Sequence, residues 1–269
     1  MIDAEEEKIK LLVKETEAFL LDMDGTIYFD ETPIGDMADT LKKLRAAGKK
    51  LVYFTNNSSK TPEEYVRKLQ KIGLWSDEDM VYTSAMATAE YLCEFHKGKS
   101  VYVVGTDAVK ESFAAYGVKL TEEKPDVCVL AYDTSLTFEK LKKINKYIVE
   151  GALYVATHPD DVCPSKDVFP PDVGSFISLL KTSSGKTPDL ICGKPYTTMG
   201  ECIMRKLGVT NDKVTMVGDR LHTDIRFGVN NRFHTILVLS GETTENALKT
   251  SPDIPEAVLP SLNDVAKYL

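Results

Sequence analysis

Short β-rich runs alternate with helical segments along nearly the whole chain, and this alternation limits the possible folds more than any other feature. Strands that alternate with helices form parallel sheets with helices on both faces. We therefore expect an α/β fold with a doubly wound parallel sheet. Eight runs have the composition of strands: AFLLD, LVYFT, VYVVG, VCVLAYD, LYVAT, DLICG, KVTMVGD and HTILVLS.

One of the intervening helices is marked clearly in the segment TPEEYVRKLQKIG. Thr61 is a candidate N-cap, Pro62 suits the first helical position, and Glu64 completes a capping box with Thr61. Gly73 is a stop signal at the other end. The sequence therefore predicts a helix that begins at Pro62 and ends before Gly73.

The spacing of polar strand ends predicts two domains. Asp22 and Thr55 are 33 residues apart, and Lys194 and Asp219 are 25 residues apart, so each interval suits one strand–helix–strand step. The 139 residues from Thr55 to Lys194 are too many for one crossover, and they contain strands and helices of their own. We expect a core domain of residues 1–80 and 189–269, with an α/β domain of residues 81–188 inserted into it.

Composition and charge restrict the classes of partner. The chain has 269 residues, of which 43% are hydrophobic and 28% are charged, as is typical of a globular protein. Its net charge of -8 argues against nucleic acid or an anionic membrane as the main partner, because both require a basic surface. The N-terminus MIDAEEEKIK lacks the pattern of a secretory signal, and no apolar run has the length of a membrane span. We expect a cytoplasmic protein.

The cysteines support the same location. The chain has five of them, an odd number without any CxxC pair. Scattered cysteines in a chain without an export signal are typical of reduced thiols in the cytoplasm. We expect Cys93, Cys128, Cys163, Cys192 and Cys202 to be small, mostly buried residues.

Chemically distinctive side chains follow four of the strands assigned to the core domain. Ligands bind beyond the carboxyl ends of the strands in an open parallel sheet. Carboxylates, one lysine, and hydroxyl and amide donors at this edge suit a hard cation such as Mg²⁺ together with a phosphoryl group. A cation would also explain why Asp22 and Asp24 are so close, since like charges raise each other's pKa. The four groups are Asp22–Thr26, Thr55–Ser58, Gly193–Pro195 and Gly218–Asp224.

These groups read DMDGT, TNNS, GKP and GDRLHTD in chain order. They resemble the four motifs of the haloacid dehalogenase-like hydrolases. The segments TSAMATAEYL, LAYDTSLTFEKL and SGETT, with an insertion after the second motif, resemble the p-nitrophenylphosphatase branch, subfamily IIA, with its large α/β cap of the C2 type. The resemblance covers roughly residues 18–245 and implies a Rossmann-like core with an inserted cap.

The resemblance implies a role for each carboxylate of the first and last motifs. Asp22 is expected to be the nucleophile that forms an aspartyl-phosphate. Asp24 is expected to protonate the leaving oxygen and then to activate water. Mg²⁺ is expected to bind the Asp22 carboxylate, the Asp24 backbone carbonyl and Asp219. Asp224 is expected to orient Lys194 or a metal-bound water without binding the metal itself.

The resemblance also implies phosphate-binding residues in the two middle motifs. Thr55, Asn56 and Asn57 are expected to donate hydrogen bonds to phosphoryl oxygens, partly through backbone N–H groups. Lys194 is expected to neutralise the charge that develops on the phosphoryl group.

The expected function is therefore a Mg²⁺-dependent phosphomonoesterase that acts on a small cytosolic phosphorylated metabolite. Sugar phosphates and nucleoside monophosphates are candidate substrates, and p-nitrophenyl phosphate is an expected artificial substrate. A cap of about a hundred residues should exclude water and large partners from the site. A homodimer formed through the cap is a further expectation.

Two other functions remain open at this point. The same aspartates could transfer the phosphoryl group to an acceptor other than water, as in a mutase. A non-catalytic, phosphate-responsive protein of the receiver type also clusters aspartates, a threonine and a lysine, but it would be shorter and would not need Asp24. The sequence assigns no role to His222 or Glu242, whereas His158 and Asp160 are candidates either for substrate contact or for packing.

Overall fold

The structure is a computed structural model that describes residues 4–164 and 168–269. The strands are β1 (Ala18–Leu21), β2 (Tyr28–Phe29), β3 (Thr32–Pro33), β4 (Lys50–Thr55), β5 (Met80–Thr83), β6 (Ser100–Val104), β7 (Lys119–Leu120), β8 (Val127–Leu130), β9 (Leu153–Ala156), β10 (Leu190–Ile191), β11 (Val214–Gly218), β12 (His234–Val238) and β13 (Ala257–Leu259).

Helices connect most of these strands, as the alternation predicted. The α-helices are α1 (Ala4–Glu15), α2 (Met37–Ala46), α3 (Pro62–Lys71), α4 (Ser84–Phe95), α5 (Asp107–Ala115), α6 (Phe138–Val149), α7 (Val173–Ser184), α8 (Thr198–Leu207), α9 (Arg226–Asn230) and α10 (Glu245–Thr250). Two 3₁₀ helices at Asn211–Lys213 and Leu262–Tyr268 and a π-helical turn at Leu221–Ile225 complete the helical segments.

The larger sheet has six strands in the order β13-β12-β11-β1-β4-β5. Strands β1, β4 and β5 run outward on one side in chain order, and β11, β12 and β13 run outward on the other. The pairings of β1 with β11 and with β4 are parallel. The strand order therefore reverses between β1 and β11, which is the point where open α/β sheets form a ligand-binding crevice.

The central position of β1 follows from its sequence. All four of its residues are buried, as expected of a continuous apolar run in a strand that is covered on both faces. Leu21 lies opposite Val217 of β11 and Tyr53 of β4. The chain therefore leaves this buried strand at Asp22, beside the end of β11.

The smaller sheet has five strands in the order β10-β9-β8-β6-β7, all paired in parallel. Side chains alternate between its two faces: Val101 and Val103 pack in one buried cluster, and Tyr102 and Val104 pack in another. This sheet also corrects one expectation. The DLICG strand pairs with β9 in the smaller sheet, so the prediction that Lys194 follows a strand of the larger sheet is wrong.

Contacts between residues group the chain into two compact units. The first, here called the core unit, contains the residues up to Phe54 together with Tyr65–Tyr82 and Ile203–Leu269. The second, here called the insert unit, contains Thr55–Glu64 and Thr83–Cys202. The core unit thus carries the DMDGT and GDRLHTD motifs, and the insert unit carries the TNNS and GKP motifs. The proposed domain limits at residues 81 and 188 stay a prediction.

The predicted helix from Pro62 is confirmed, together with its capping box. The Glu64 backbone N–H donates to Thr61 Oγ1 at 3.3 Å, and the Thr61 backbone N–H donates to Glu64 Oε2 at 2.8 Å. Gly73 adopts a φ of 74° just beyond the helix end, a conformation that glycine adopts at little cost.

Two further expectations concern the whole of the described chain. No disulfide joins any of the five cysteines, all of which lie in the described part. Within residues 4–164 and 168–269, no helix combines the length and the apolar character needed to cross a membrane.

Candidate active site

Three carboxylates of the core unit converge beyond the ends of β1 and β11. Asp22 follows β1, Asp219 follows β11, and Asp224 lies in the π-helical turn Leu221–Ile225. One oxygen of each carboxylate lies within 4.8 Å of the others. We call Asp22, Asp219 and Asp224 the acidic cluster. It occupies the point where the strand order of the larger sheet reverses.

The acidic cluster is poorly solvated. Asp219 and Asp224 are only 3% and 1% exposed, respectively. Burial, together with the neighbouring charge of Asp224, raises the pKa of Asp219. Asp219 Oδ2 accepts a hydrogen bond from the Glu242 backbone N–H at 2.7 Å, whereas no described residue donates to the buried Oδ1. A buried oxygen that lacks a donor, within a set of oxygen ligands only, fits a hard divalent cation.

Two glycines come so close to Asp219 that no other residue could replace them without displacing it. A Cβ atom at Gly25 would lie 2.6 Å from Asp219 Oδ2, and a Cβ atom at Gly241 would lie 2.0 Å from the same oxygen. Gly25 also has a φ of 83°. Its place after Asp24 is therefore explained both by backbone conformation and by close approach.

Asp24 lies apart from the acidic cluster, although it is only two residues from Asp22. It is exposed, and its carboxylate is not one of the three that converge. The chain turns back immediately after it, since the Gly25 N–H donates to the Tyr28 carbonyl at 2.9 Å and β2 pairs with β3. The Asp22 carboxylate thus belongs to the cluster, whereas the Asp24 side chain is exposed to solvent.

Sequence reasoning missed Arg220, which lies beside the acidic cluster. Burial disfavours its charge, but the carboxylates of Asp22, Glu242, Asp219 and Asp224 outweigh this effect and raise the pKa of the guanidinium. Its Nε lies 2.9 Å from Glu242 Oε2. The sequence feature that could have identified Arg220 is its position inside the motif GDRLHTD, directly after Asp219. His222, in the same motif, is exposed.

In the insert unit, Asn56 holds the backbone of Lys194. Its Oδ1 accepts from the Lys194 N–H at 2.8 Å, and its Nδ2 donates to the Lys194 carbonyl at 2.9 Å. Nδ2 also lies 3.2 Å from Asp160 Oδ1. A Cβ atom at Gly193 would lie 2.6 Å from Asn56 Oδ1, so the glycine of GKP permits this contact. The Asn56 side chain is therefore used to position the GKP loop.

The remaining side chains of TNNS also form local hydrogen bonds within the insert unit. Thr55 Oγ1 accepts from the Asn57 backbone N–H at 3.1 Å, and Asn57 Oδ1 accepts from the Ser59 backbone N–H at 2.9 Å. Ser58 Oγ lies 3.0 Å from Thr157 Oγ1 and accepts from the Tyr132 N–H at 2.8 Å. These bonds hold the backbone of this segment through its own side chains.

His158 is a packing residue rather than an exposed candidate for substrate contact. It is fully buried, and its Nε2 lies 3.0 Å from Asp172 Oδ1. Burial lowers the pKa of His158, but the hydrogen bond and charge of Asp172, with a contribution from Asp160, raise it overall. The Asp172 carboxylate also accepts the first N–H of α7, from Val173, at 2.7 Å.

Two family models match the chain. A haloacid dehalogenase-like hydrolase model matches residues 19–119, and a HAD-hydrolase-like model matches residues 191–265. The two matches include all four motifs.

Curated relatives match over nearly the full length of the chain. The 5′-nucleotidase YutF of Bacillus subtilis is 32% identical over 96% of this chain and 100% of its own length. An acid sugar phosphatase of Staphylococcus saprophyticus is 33% identical over 96% of this chain and 99% of its own length.

Solved structures agree with these matches. A 4-nitrophenylphosphatase from Thermotoga maritima superposes with a TM-score of 0.92 and 41% identity, covering 95% of this chain and 98% of that chain. A p-nitrophenyl phosphatase from Archaeoglobus fulgidus superposes with a TM-score of 0.87 and 28% identity, covering 94% of this chain and 98% of that chain.

Proposed function

We propose a reaction for this protein on the premise that the chain belongs to the haloacid dehalogenase-like hydrolases and is a phosphatase. The family resemblance and the α/β fold expected from the four motifs are thereby confirmed. In the proposed reaction the protein hydrolyses a small phosphorylated metabolite in a Mg²⁺-dependent manner, through an aspartyl-phosphate on Asp22.

The acidic cluster is the observation that carries this proposal. Its three converging carboxylates include a buried oxygen of Asp219 that no described residue satisfies. Asp22, Asp219 and the Asp24 backbone carbonyl would hold Mg²⁺, which when bound offsets the negative charge of the carboxylates and of the phosphoryl group. Asp224, proposed from its motif as an orienting residue, lies close enough to act on the ion directly or through a water.

In the first step, a carboxylate oxygen of Asp22 attacks phosphorus and forms a P–O bond. The bond from phosphorus to the leaving oxygen breaks, and Asp24 in its acid form transfers a proton to that oxygen. The exposed position of Asp24 supports this role, because the group must reach a substrate atom outside the acidic cluster. An alcohol leaves, and Asp24 remains as a carboxylate.

In the second step, Asp24 accepts a proton from a water molecule whose oxygen attacks the phosphorus of the aspartyl-phosphate. The bond from phosphorus to Asp22 breaks, inorganic phosphate is released, and both aspartates return to their starting forms. The different surroundings of the two side chains support this division of labour, since nucleophile and proton carrier must approach different atoms: Asp22 lies in the acidic cluster and Asp24 is exposed.

Thr55, Asn56, Asn57 and Lys194 are proposed to bind and neutralise the phosphoryl oxygens, as their motifs imply. Lys194 is only 1% exposed in the insert unit. Since the Asn56 side chain already bonds the Lys194 backbone, the contribution of Asn56 to phosphate binding would come from its backbone.

The names of the relatives support small esters as the substrate class. One relative is a 5′-nucleotidase, another is an acid sugar phosphatase, and a similar structure is a 4-nitrophenylphosphatase. We therefore propose nucleoside monophosphates and sugar phosphates as the substrates to examine first. The cytoplasmic location and the homodimer formed through the cap stay predictions.

The test is phosphate release from p-nitrophenyl phosphate and a panel of small phosphate esters, with Mg²⁺ and with a chelator, for the wild type and Asp22→Asn. We expect Mg²⁺-dependent release by the wild type and a loss of at least about a thousandfold in the variant, because the amide is a poor nucleophile. Circular dichroism of both proteins checks that the variant is folded.

Two results would contradict the proposal. A folded Asp22→Asn protein that keeps its turnover would rule out the covalent step on Asp22. Loss of the ester without release of inorganic phosphate would instead show transfer to another acceptor, as in a mutase. Product analysis by phosphorus NMR separates hydrolysis from transfer.

A further inference from the structure

Arg220 and Glu242 form an ion pair at the edge of the acidic cluster, and the proposed reaction assigns neither of them a part. Arg220 Nε lies 2.9 Å from Glu242 Oε2. The arginine side chain is 18% exposed, whereas the glutamate side chain is 56% exposed. The positive member of the pair is thus largely buried near the cluster, and the negative member is mostly in solvent.

The guanidinium of Arg220 interacts electrostatically with all three members of the acidic cluster as well as with Glu242. Burial lowers its pKa, but the charges of Asp22, Glu242, Asp219 and Asp224 raise the pKa overall. Its backbone N–H also donates to Asp224 Oδ2 at 3.1 Å. Arg220 is therefore a resident cation beside three carboxylates that also fit a divalent ion.

The loop that carries Glu242 is hydrogen-bonded twice to Asp219 of the acidic cluster and once to Gly25. Ser240 Oγ donates to the Gly25 carbonyl at 2.7 Å, the Glu242 N–H donates to Asp219 Oδ2 at 2.7 Å, and the Thr243 N–H donates to the Asp219 carbonyl at 3.2 Å. The backbone of Glu242 is thus held independently of its side chain. Its carboxylate can be neutralised without removing the contacts that anchor the loop.

We propose that Arg220 and Glu242 are positioning residues that together set the affinity of the acidic cluster for its divalent cation. Arg220 weakens cation binding because its positive charge repels the ion. Glu242 opposes this effect by pairing with the guanidinium, which leaves less of its charge to act on the cluster. The inference rests on the proposed function for the identity of the ion, Mg²⁺, but concerns binding rather than turnover.

The physical basis is that carboxylate sites bind cations according to their net charge. A fixed charge a few ångströms from a buried site is screened less than one on the surface. The more buried Arg220 should therefore have a larger effect than the more exposed Glu242. The structure also explains how the cluster tolerates its charge before an ion binds, since Arg220 already offsets part of it.

A purely structural ion pair predicts a different pattern. If the ion pair only stabilised the loop, neutralising either residue would disorder the acidic cluster. Arg220→Met and Glu242→Gln would then both weaken Mg²⁺ binding. The charge-setting role predicts effects of opposite sign for the two residues. The sign of the change in Kd therefore separates the two roles.

The experiment measures the Kd of Mg²⁺ by isothermal titration calorimetry on the full-length, chelator-stripped protein without substrate. We expect Arg220→Met to lower the Kd at least about tenfold and Glu242→Gln to raise it about threefold or more. Arg220→Lys keeps the charge and should stay close to the wild type. In the double variant the effect of Glu242→Gln should vanish, because the two residues act as a unit.

Arg226→Met is the matched control, since Arg226 in the same unit pairs with Asp253 at 2.8 Å and belongs to a different ion pair. Its Kd for Mg²⁺ should equal that of the wild type. Circular dichroism and thermal unfolding in chelator check that each variant is folded. If Arg220→Met does not fold, Arg220→Gln replaces it, because that change also removes the positive charge and should also lower the Kd.

Weaker binding by Arg220→Met, or no change in Kd for either residue, would overturn the inference. Failure of the wild type to bind Mg²⁺ would also overturn it. Ester hydrolysis by the same preparations is scored separately. Unchanged Kd values in an active phosphatase reject only the inference, whereas the expected Kd pattern in a protein that hydrolyses no ester rejects only the proposed function.

Discussion

The side-chain amide of Asn56 brackets the peptide backbone of Lys194, accepting from its N–H and donating to its carbonyl. The two residues are 138 positions apart in the chain. An asparagine is suited to this contact because one planar group offers an acceptor and a donor side by side. The position of the buried lysine thus depends on an amide in a different motif.

Asn56→Ala should release the backbone of Lys194 from its position and destabilise the insert unit. The substitution leaves a buried N–H and a buried carbonyl without their partner, which costs about 2 kcal/mol. We expect turnover of p-nitrophenyl phosphate to fall more than about tenfold, because the charge of Lys194 acts only over a short distance. Hydrogen exchange should become faster at the Lys194 amide.

Asn145→Ala is the control for this change. Asn145 is a partly buried residue of the insert unit whose side chain accepts a hydrogen bond from Ser183 Oγ at 2.7 Å. Asn145→Ala should alter neither the turnover of p-nitrophenyl phosphate nor hydrogen exchange at the Lys194 amide. Unchanged exchange at Lys194 in Asn56→Ala would show that the bracket is not needed to hold the loop.

Asp219→Asn should stabilise the protein in chelator while removing its response to Mg²⁺. The substitution relieves repulsion among the buried carboxylates and keeps an oxygen that can accept the Glu242 N–H. We expect the Tm in chelator to rise by about 3 °C and the Mg²⁺-dependent rise to disappear. Differential scanning calorimetry measures both.

Asp36→Asn is a suitable comparison, since Asp36 is exposed and lies outside the acidic cluster. It should keep the wild-type response to Mg²⁺. A lower Tm for Asp219→Asn in chelator would mean that repulsion within the cluster is already offset by other charges.

Gly241→Ala should disrupt the acidic cluster through a steric clash. The added methyl carbon would lie 2.0 Å from Asp219 Oδ2, so the carboxylate or the loop must move. Such overpacking costs about 1–3 kcal/mol, and we expect Mg²⁺ affinity to fall about tenfold or more. Calorimetric titration with Mg²⁺ and thermal unfolding give the two quantities.

Gly105→Ala controls for the general effect of replacing a glycine. A Cβ atom there would lie 3.4 Å from Val103 Cγ1, an ordinary contact distance. Its Mg²⁺ affinity should match that of the wild type. If Gly241→Ala also binds Mg²⁺ normally, the close approach of this loop is not what shapes the cluster.

The His158–Asp172 pair should make the stability of the protein depend on pH. The pKa of His158 is raised in the folded state. The pair therefore contributes fully to the free energy of unfolding below the unfolded pKa of about 6.5. This contribution is lost as the pH rises through the folded pKa. Asp172→Asn removes the charge but keeps an N-cap residue for α7. We expect the variant to be less stable by about 3 kcal/mol at acidic pH, with a smaller difference at alkaline pH.

Urea unfolding of the wild type and Asp172→Asn across this pH range measures the difference in free energy. The capping bond to Val173 is kept in both proteins, so any change in the difference with pH reports the ion pair. A difference that stays constant with pH would mean that His158 is neutral in the folded protein.

Several features of the site could be predicted from the sequence because they are local. The apolar run Ala18–Leu21 defines a buried strand, and Asp22 must then emerge at its carboxyl end. The capping box of Thr61 and Glu64 involves residues three positions apart, and it forms as expected. The order of the four motifs identified the family because each motif is a short segment with its own chemistry.

The placement of DLICG could not be predicted in the same way. Its apolar composition suits a strand of either sheet, and only two of its residues, Leu190–Ile191, form one. The strand joins the smaller sheet because it pairs with β9, where Leu190 lies opposite Val155, a residue 35 positions earlier in the chain. The local sequence of such a short strand does not specify which other strand its backbone will pair with.

The sequence alone determined the strand that ends at Asp22, the helix after Thr61, and the carboxylates, amides and lysine available for chemistry. The tertiary structure decided which of these groups meet. It places Asp219 and Asp224 beside Asp22 and pairs Arg220 with Glu242. It also directs the Asn56 side chain to the backbone of Lys194. Local propensities act over a few residues, whereas these contacts join segments far apart in the chain and form only when the sheets are assembled.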